Sequence, residues 1–273
     1  MAAFLFVTFA LKCQYMLHVS LHAEPIFRLL GISVSNSLLS SWIVVVGLLL
    51  FAALVGKSLK RIPMALQSAV ELTYTAFTGI AESVIANPRA AAEAVPVAIT
   101  LFAYIVFSNL IGLIPGVGTV IVRGADSAPL FRAPTSDLNT TVCLALITVG
   151  FVQYMGVKHL GGRQYLSKFF TLKSPLDTMV GFQELISEIT RIVSFSFRLF
   201  GNIFAGELII SVILFLTSTY LPFISILPLP FYTLELGFAL IQAYVFAFLM
   251  LIFTGLAITS HGSEAHGEEL AVA

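Results

Sequence analysis

Between Met179 and Phe215 an otherwise apolar stretch carries Glu184, Glu188, Arg191, Arg198, Asn202 and Glu207. A second apolar run, Phe231 to Thr259, carries Glu235 and Gln242. A charged side chain at the centre of a membrane helix costs about 2.5–3.5 kcal/mol on insertion scales, so such residues ordinarily serve a pathway or a partner. The chemistry open to this set is ion or proton transfer. Carboxyl groups can take up and release a proton, while a guanidinium stays charged even when poorly solvated. Glu188 and Arg191 stand three residues apart, a spacing that lets a helix pair them. That pair fits a structural role as well as a functional one.

Arg198 is harder to neutralise locally. At about 100° per residue, Asn202 lies about 40° around the helix from Arg198 and Arg191 about 20°. Glu207 lies about 180° away and cannot pair with Arg198 inside the helix. An acidic partner for Arg198 must therefore come from another element or another subunit. Glu235 and Gln242 are seven residues apart and share nearly one face.

The elements that hold these residues follow from hydropathy. Hydrophobic residues make up 58% of 273 positions and charged residues 10%, against about 25% charged in a soluble domain. Most of the chain cannot face water. The formal net charge is zero, which leaves no electrostatic footprint for nucleic acid. Cys13 and Cys143 lie too far apart for a metal spacing. A bilayer core needs about 20 apolar residues per helix. Runs meeting that need are Leu38–Gly56, Val95–Ile114, Leu138–Val157 and Phe231–Thr259. The stretch 63–87 is interleaved with Gln67, Glu71, Thr75, Glu82 and Ser83, and is expected to lie along the surface. From Thr178 to Tyr220 the chain is apolar and free of proline. As one helix it would be about 64 Å long, twice a membrane's thickness, so it must break, bend or lie strongly tilted.

The expected class is an all-α integral membrane protein with about five passes. Basic loops at 57–61 with Arg89, and at 158–173, assign those ends to the cytoplasm by the positive-inside rule. The amino terminus then falls outside and the carboxyl terminus inside. Residues 1–37 read as an extracytoplasmic leader, 38–260 as the membrane domain and 261–273 as a polar tail. Residues 1–11 are apolar but lack a preceding positive charge, which makes a poor secretory signal. In this orientation Glu207 and Glu235 form an outer pair of acids and Glu184 and Glu188 an inner pair, with Arg198 between them. Two half-channels separated by a positive barrier would need that layout.

The run Ser196-Phe197-Arg198-Leu199-Phe200-Gly201-Asn202-Ile203-Phe204-Ala205-Gly206-Glu207-Leu208 resembles the signature of F-type ATP synthase subunit a. Ile241-Gln242-Ala243-Tyr244-Val245-Phe246 is similar to that family's final-helix motif, and Asn109-Leu110 with Leu113-Ile114-Pro115 to its second-span ending. The resemblance covers roughly residues 35–260. It implies a proton-translocating stator subunit of the F-type ATP synthase, with no catalytic residue, cofactor or metal of its own. The implied partners are a c-subunit ring, a b-subunit stalk, the other synthase subunits, the lipid bilayer, and protons or sodium. Residue by residue, Arg198 matches the essential arginine facing the ring, and Asn202 and Gln242 its polar neighbours. Glu207, Glu235 and Asn109 match the outer path, Glu184 an acid near the inner path, and Arg191 a basic residue on the arginine face. Gly112 departs from members that carry an acid there. The family also implies that the last two long helices form a tilted hairpin; with no transit-like leader at the start of the sequence, a bacterial plasma (inner) membrane is the expected location rather than an organelle.

Other signals carry less. Gly56-Lys57-Ser58 lacks the glycine a phosphate loop needs five residues earlier, where Phe51 stands. Asn139-Thr140-Thr141 fits a glycosylation sequon, a pattern frequent by chance. The tail residues His261, Glu264, His266, Glu268 and Glu269 fit a solvated tail better than a metal site. No HExxH or GxSxG pattern supports an intramembrane hydrolase. The competing class is a proton- or sodium-coupled secondary transporter, but such proteins commonly show paired broken helices in two repeats. Only one unusual long segment occurs here.

Overall fold

The computed structural model describes residues 25–29, 32–57, 65–114, 129–167, 175–220 and 227–259. The leader up to 24, the basic residues Lys60, Arg61, Lys168 and Lys173, most of the 116–137 and 221–230 loops, and the tail from 261 lie outside them. A short antiparallel hairpin, β1 (Pro25–Leu29) and β2 (Ile32–Ser35), leads into the helices. Hydropathy gave no sign of this hairpin. The helices are α1 (Asn36–Lys57), α2 (Ala65–Val84), α3 (Pro88–Leu113), α4 (Leu138–Leu160), the short α5 (Gly162–Ser167), α6 (Pro175–Tyr220) and α7 (Pro228–Ile258). A single 3-10 turn, Pro134–Ser136, precedes α4.

Five of these helices are long and apolar enough to cross a membrane: α1, α3, α4, the 178–217 part of α6, and α7. The all-α reading holds, and the five expected spans match these helices to within a few residues, apart from the earlier start of α3 at Pro88. Local chemistry sets several ends. The Ser35 hydroxyl accepts the Leu38 N–H at 3.3 Å to start α1. Asp137 caps α4, its carboxylate accepting the Asn139 N–H at 3.1 Å. Pro228 and Pro230 stand in the first turn of α7, where a missing N–H costs nothing.

Exposure follows a lipid-facing rather than a water-facing pattern. In α1 only Asn36, Ser37, Ser40 and Val44 are buried, while Trp42, Val46, Leu49, Leu50 and Leu54 are exposed. Contiguous apolar surface of this kind marks a membrane or partner contact. The polar face of α1 is the one turned inward. α2 is amphipathic and buries only Phe77 and Ala81.

α6 corrects one expectation: of breaking, bending or tilting, breaking does not occur. The helix runs unbroken for 46 residues, roughly 69 Å at 1.5 Å per residue. No proline interrupts its hydrogen bonds after Pro175.

The described residues fall into two compact units. One holds those of 1–58, 102–142 and 196–244, and packs Ala133, Ile203 and Ala239 together with Leu113. The other holds those of 59–101, 143–195 and 245–273, and buries Ala94, Ala98, Val152, Met155, Phe195, Phe246 and Met250. α6 packs on α7 in each unit. In the first, Ile203 clusters with Ala239 and Gly206 lies against Glu235. In the second, the Phe195 ring meets Phe246 edge-on at 4.7 Å and Phe253 at 5.7 Å. Within each unit α7 numbers fall as α6 numbers rise, so the two helices form an antiparallel hairpin.

Candidate functional site

Glu207 and Glu235 come together in the first unit. Glu235 is 7% exposed, and a Cβ on Gly206 would stand 2.6 Å from its Oε1. Only a glycine at 206 gives that carboxyl its place beside the α6 backbone, one residue from Glu207. The second oxygen of Glu235 finds no hydrogen-bond partner among the described residues, and neither do the Ser108 hydroxyl and the Gln242 amide nitrogen. Buried polar atoms are ordinarily satisfied, so such orphans mark where water or a transferring proton would be accommodated.

Glu207 meets Arg132, whose Nε lies 3.4 Å from Glu207 Oε2, with the side chains 10% and 25% exposed respectively. The Ser136 hydroxyl and the Ala133 backbone are within electrostatic reach of the same carboxyl. Asn109 stands in this unit but is bound on both ends. Thr135 Oγ1 donates to its Oδ1 at 2.5 Å, and its Nδ2 donates to the Ala239 carbonyl at 3.3 Å. Asn109 thus ties α3 to α7 and to the turn before α4. Gly112 has a local reason as well. A Cβ there would stand 2.7 Å from Ala133 Cβ, so any side chain at 112 would push away the segment that carries Arg132.

The second unit gathers Glu184, Glu188 and Arg191. Arg191 lies 2.5 Å from Glu188 Oε1 and 3.9 Å from Glu184 Oε1. Its guanidinium carbon sits 4.6 Å from the Phe253 ring centroid, a cation–π arrangement that desolvation strengthens. The i,i+3 pair legible in the sequence is therefore formed, and α7 supplies its third side. Tyr165, on α5, is buried with its ring against Gly156, and its hydroxyl donates to Gln153 Oε1. Burial first, and the Glu188 carboxylate second, push its phenol up to about 12. It remains a neutral donor throughout the physiological range.

Arg198 is exposed on α6, whereas Phe195, Ser196 and Leu199 beside it are buried. Exposed residues near it on the helix are Ser194, Phe197, Gly201 and Ala205. Asn202 is half-buried one turn on. Gln242 is 7% exposed, and the register of the first unit carries it to about the level of Phe200 and Gly201, within a turn of Arg198 and Asn202.

Arg132, Ser136 and Tyr165 escaped the sequence reading. The partner of Arg132 is 75 residues away in the sequence, beyond the reach of any local spacing rule. The available signal was the helix-entry pattern Pro134-Thr135-Ser136-Asp137, which fixes the backbone just after Arg132. Tyr165 offered none.

The sequence model of the family described as "ATP synthase A chain" matches residues 38–255. A protein of Bradyrhizobium sp. named "ATP synthase subunit a 2" is 32% identical over 242 residues, 89% of this chain and 96% of its own length. "ATP synthase subunit a" of Syntrophobacter fumaroxidans is 33% identical over 81% of this chain and 84% of its own. The protein of the same name from Moorella thermoacetica is 31% identical over 88% of this chain and 99% of its own.

Proposed function

This chain belongs to the ATP synthase A chain family, and on that premise we propose that it is the proton-conducting stator subunit of an F-type ATP synthase. The observation that carries the reading is Arg198. A permanent cation stands exposed on a helix long and apolar enough to cross a membrane, inside the matched region and beside exposed Phe197, Gly201 and Ala205. A charge at membrane depth ordinarily serves a pathway or a partner.

In this reading residues 38–260 form the membrane domain of a multi-pass protein of the bacterial plasma membrane, with the leader outside and the tail in the cytoplasm. The α6–α7 hairpin lies tilted along a ring of c subunits and a b stalk holds it still. Protons enter from outside past Asn109, Glu235 and Glu207 and load a carboxylate of the ring. Once neutral, that carboxyl can rotate into lipid because the desolvation cost of its charge is gone. Release follows on the cytoplasmic side near Glu184, Glu188 and Arg191. Arg198, with Asn202 and Gln242 level with it, favours the ionised form of a passing carboxyl and so stops a protonated site from slipping backward. The drive is about 2.3 kcal/mol per proton per 100 mV. The chain binds no nucleotide and catalyses nothing alone.

Affinity purification of the tagged chain from native membranes in mild detergent tests this. A short, carboxylate-bearing two-helix subunit should copurify in excess, together with ATP-hydrolysing subunits. A chain that came away alone and bound a solute would instead be a secondary transporter.

A further inference from the structure

Glu207 projects about 180° away from Arg198 around α6, so its carboxyl must be oriented by something outside its own helix. Among the described residues one cation lies against it, Arg132, which several bonds hold in place. Its backbone N–H donates to Ser40 Oγ on α1 at 3.3 Å. Its Nε donates to Ser136 Oγ at 2.8 Å, and Ser136 in turn donates to the Ala133 carbonyl at 2.9 Å. The turn beyond is pinned at two further points. Thr135 bonds Asn109 on α3, and the buried Asp137 accepts the Ser37 hydroxyl on α1 at 2.8 Å.

The two distances at Nε differ in a telling way. The contact to Ser136 is a full hydrogen bond, whereas the 3.4 Å separation from Glu207 is beyond the usual range for one. Arg132 is thus anchored within its own segment, and Glu207 lies against it. A carboxyl that must repeatedly gain and lose a proton needs this arrangement: a fixed orientation and a partner that tolerates both states. We propose that Arg132, held by Ser136, is the positioning residue for Glu207, setting the orientation from which that carboxyl passes protons. The inference rests on the reading of Glu207 as a path residue.

Passive proton flux through the assembled membrane sector, stripped of its soluble part and measured in vesicles as a function of pH, tests it. Copurification of the ring verifies assembly of each variant. Glu207→Gln should lower flux severely. Arg132→Gln should lower it about tenfold at fixed pH, equivalent to a displacement of the profile by about one unit. Arg132→Lys should recover part of the loss, because it restores the charge without the planar fork. Arg132→Gln should add nothing to Glu207→Gln. Should Arg132→Gln fail to assemble, Ser136→Ala, which frees the guanidinium but keeps its charge, should displace the profile in the same sense by a smaller step. Parental flux and pH profile in Arg132→Gln, or in Ser136→Ala, would overturn the proposal, as would full multiplication of the two losses in the double variant. Parental flux in Glu207→Gln would instead remove the path reading on which the proposal stands.

Discussion

The two acid clusters are built in opposite ways. Around Arg191 the pairing is local: Glu184 and Glu188 come from the preceding two turns of the same helix, and α7 contributes only the Phe253 ring. Around Glu207 nothing is local. Its cation comes from the segment before α4, its neighbouring carboxyl from α7, and the scaffold beneath them from α1 and α3. The difference is one of construction: the local cluster holds its charges at short range within one helix, whereas the assembled one exists only where α1, α3, α6, α7 and the segment before α4 meet. The Glu207 site therefore depends on tertiary packing that the Arg191 cluster does not need.

The contrast is sharpest for the acids themselves. A positioned proton-transfer group contributes roughly 10²–10⁴-fold to its step. Glu207→Gln should therefore lower passive proton flux through the assembled membrane sector by at least about 10²-fold, read in vesicles with ring copurification intact. Gly206→Ala comes next. Its new methyl would displace the Glu235 carboxyl, and misplacing a reacting group by 1 Å can cost about 10²-fold. We expect a loss of about tenfold or more in flux, with the complex still assembled, since the displaced atoms end a flexible side chain. Glu188→Gln should do least. Arg191 keeps Glu184 and Phe253, and an i,i+3 pair within a helix contributes about 0.2–0.5 kcal/mol, a factor of about two. Thermal stability of the purified complex and flux should both move by no more than that. Equal losses in Glu188→Gln and Glu207→Gln would erase the distinction between the clusters.

The same difference explains what could be read without coordinates. Hydropathy located the five spans because lipid imposes a length on each, and helical periodicity paired Glu188 with Arg191 because three-residue spacing is geometry. The length of the 178–220 stretch excluded an upright span, yet could not say whether the helix broke; it does not. Arg132 stayed hidden because its meeting with Glu207 depends on tertiary packing, in particular on the room Gly112 leaves for Ala133. Asn109 was legible only through the family resemblance, and its two hydrogen bonds, which make it a tie between elements, were not. Neither was the β1–β2 hairpin, whose apolar strands resemble any short hydrophobic run.

The central claim is that Arg198 separates two proton paths by meeting the rotor's acids. Coupled and uncoupled transport in proteoliposomes carrying the whole synthase with Arg198→Ala test it most directly. ATP synthesis driven by an imposed proton gradient should disappear while the complex assembles and protons still leak through its membrane sector. Synthesis at the parental rate in that variant would contradict the account.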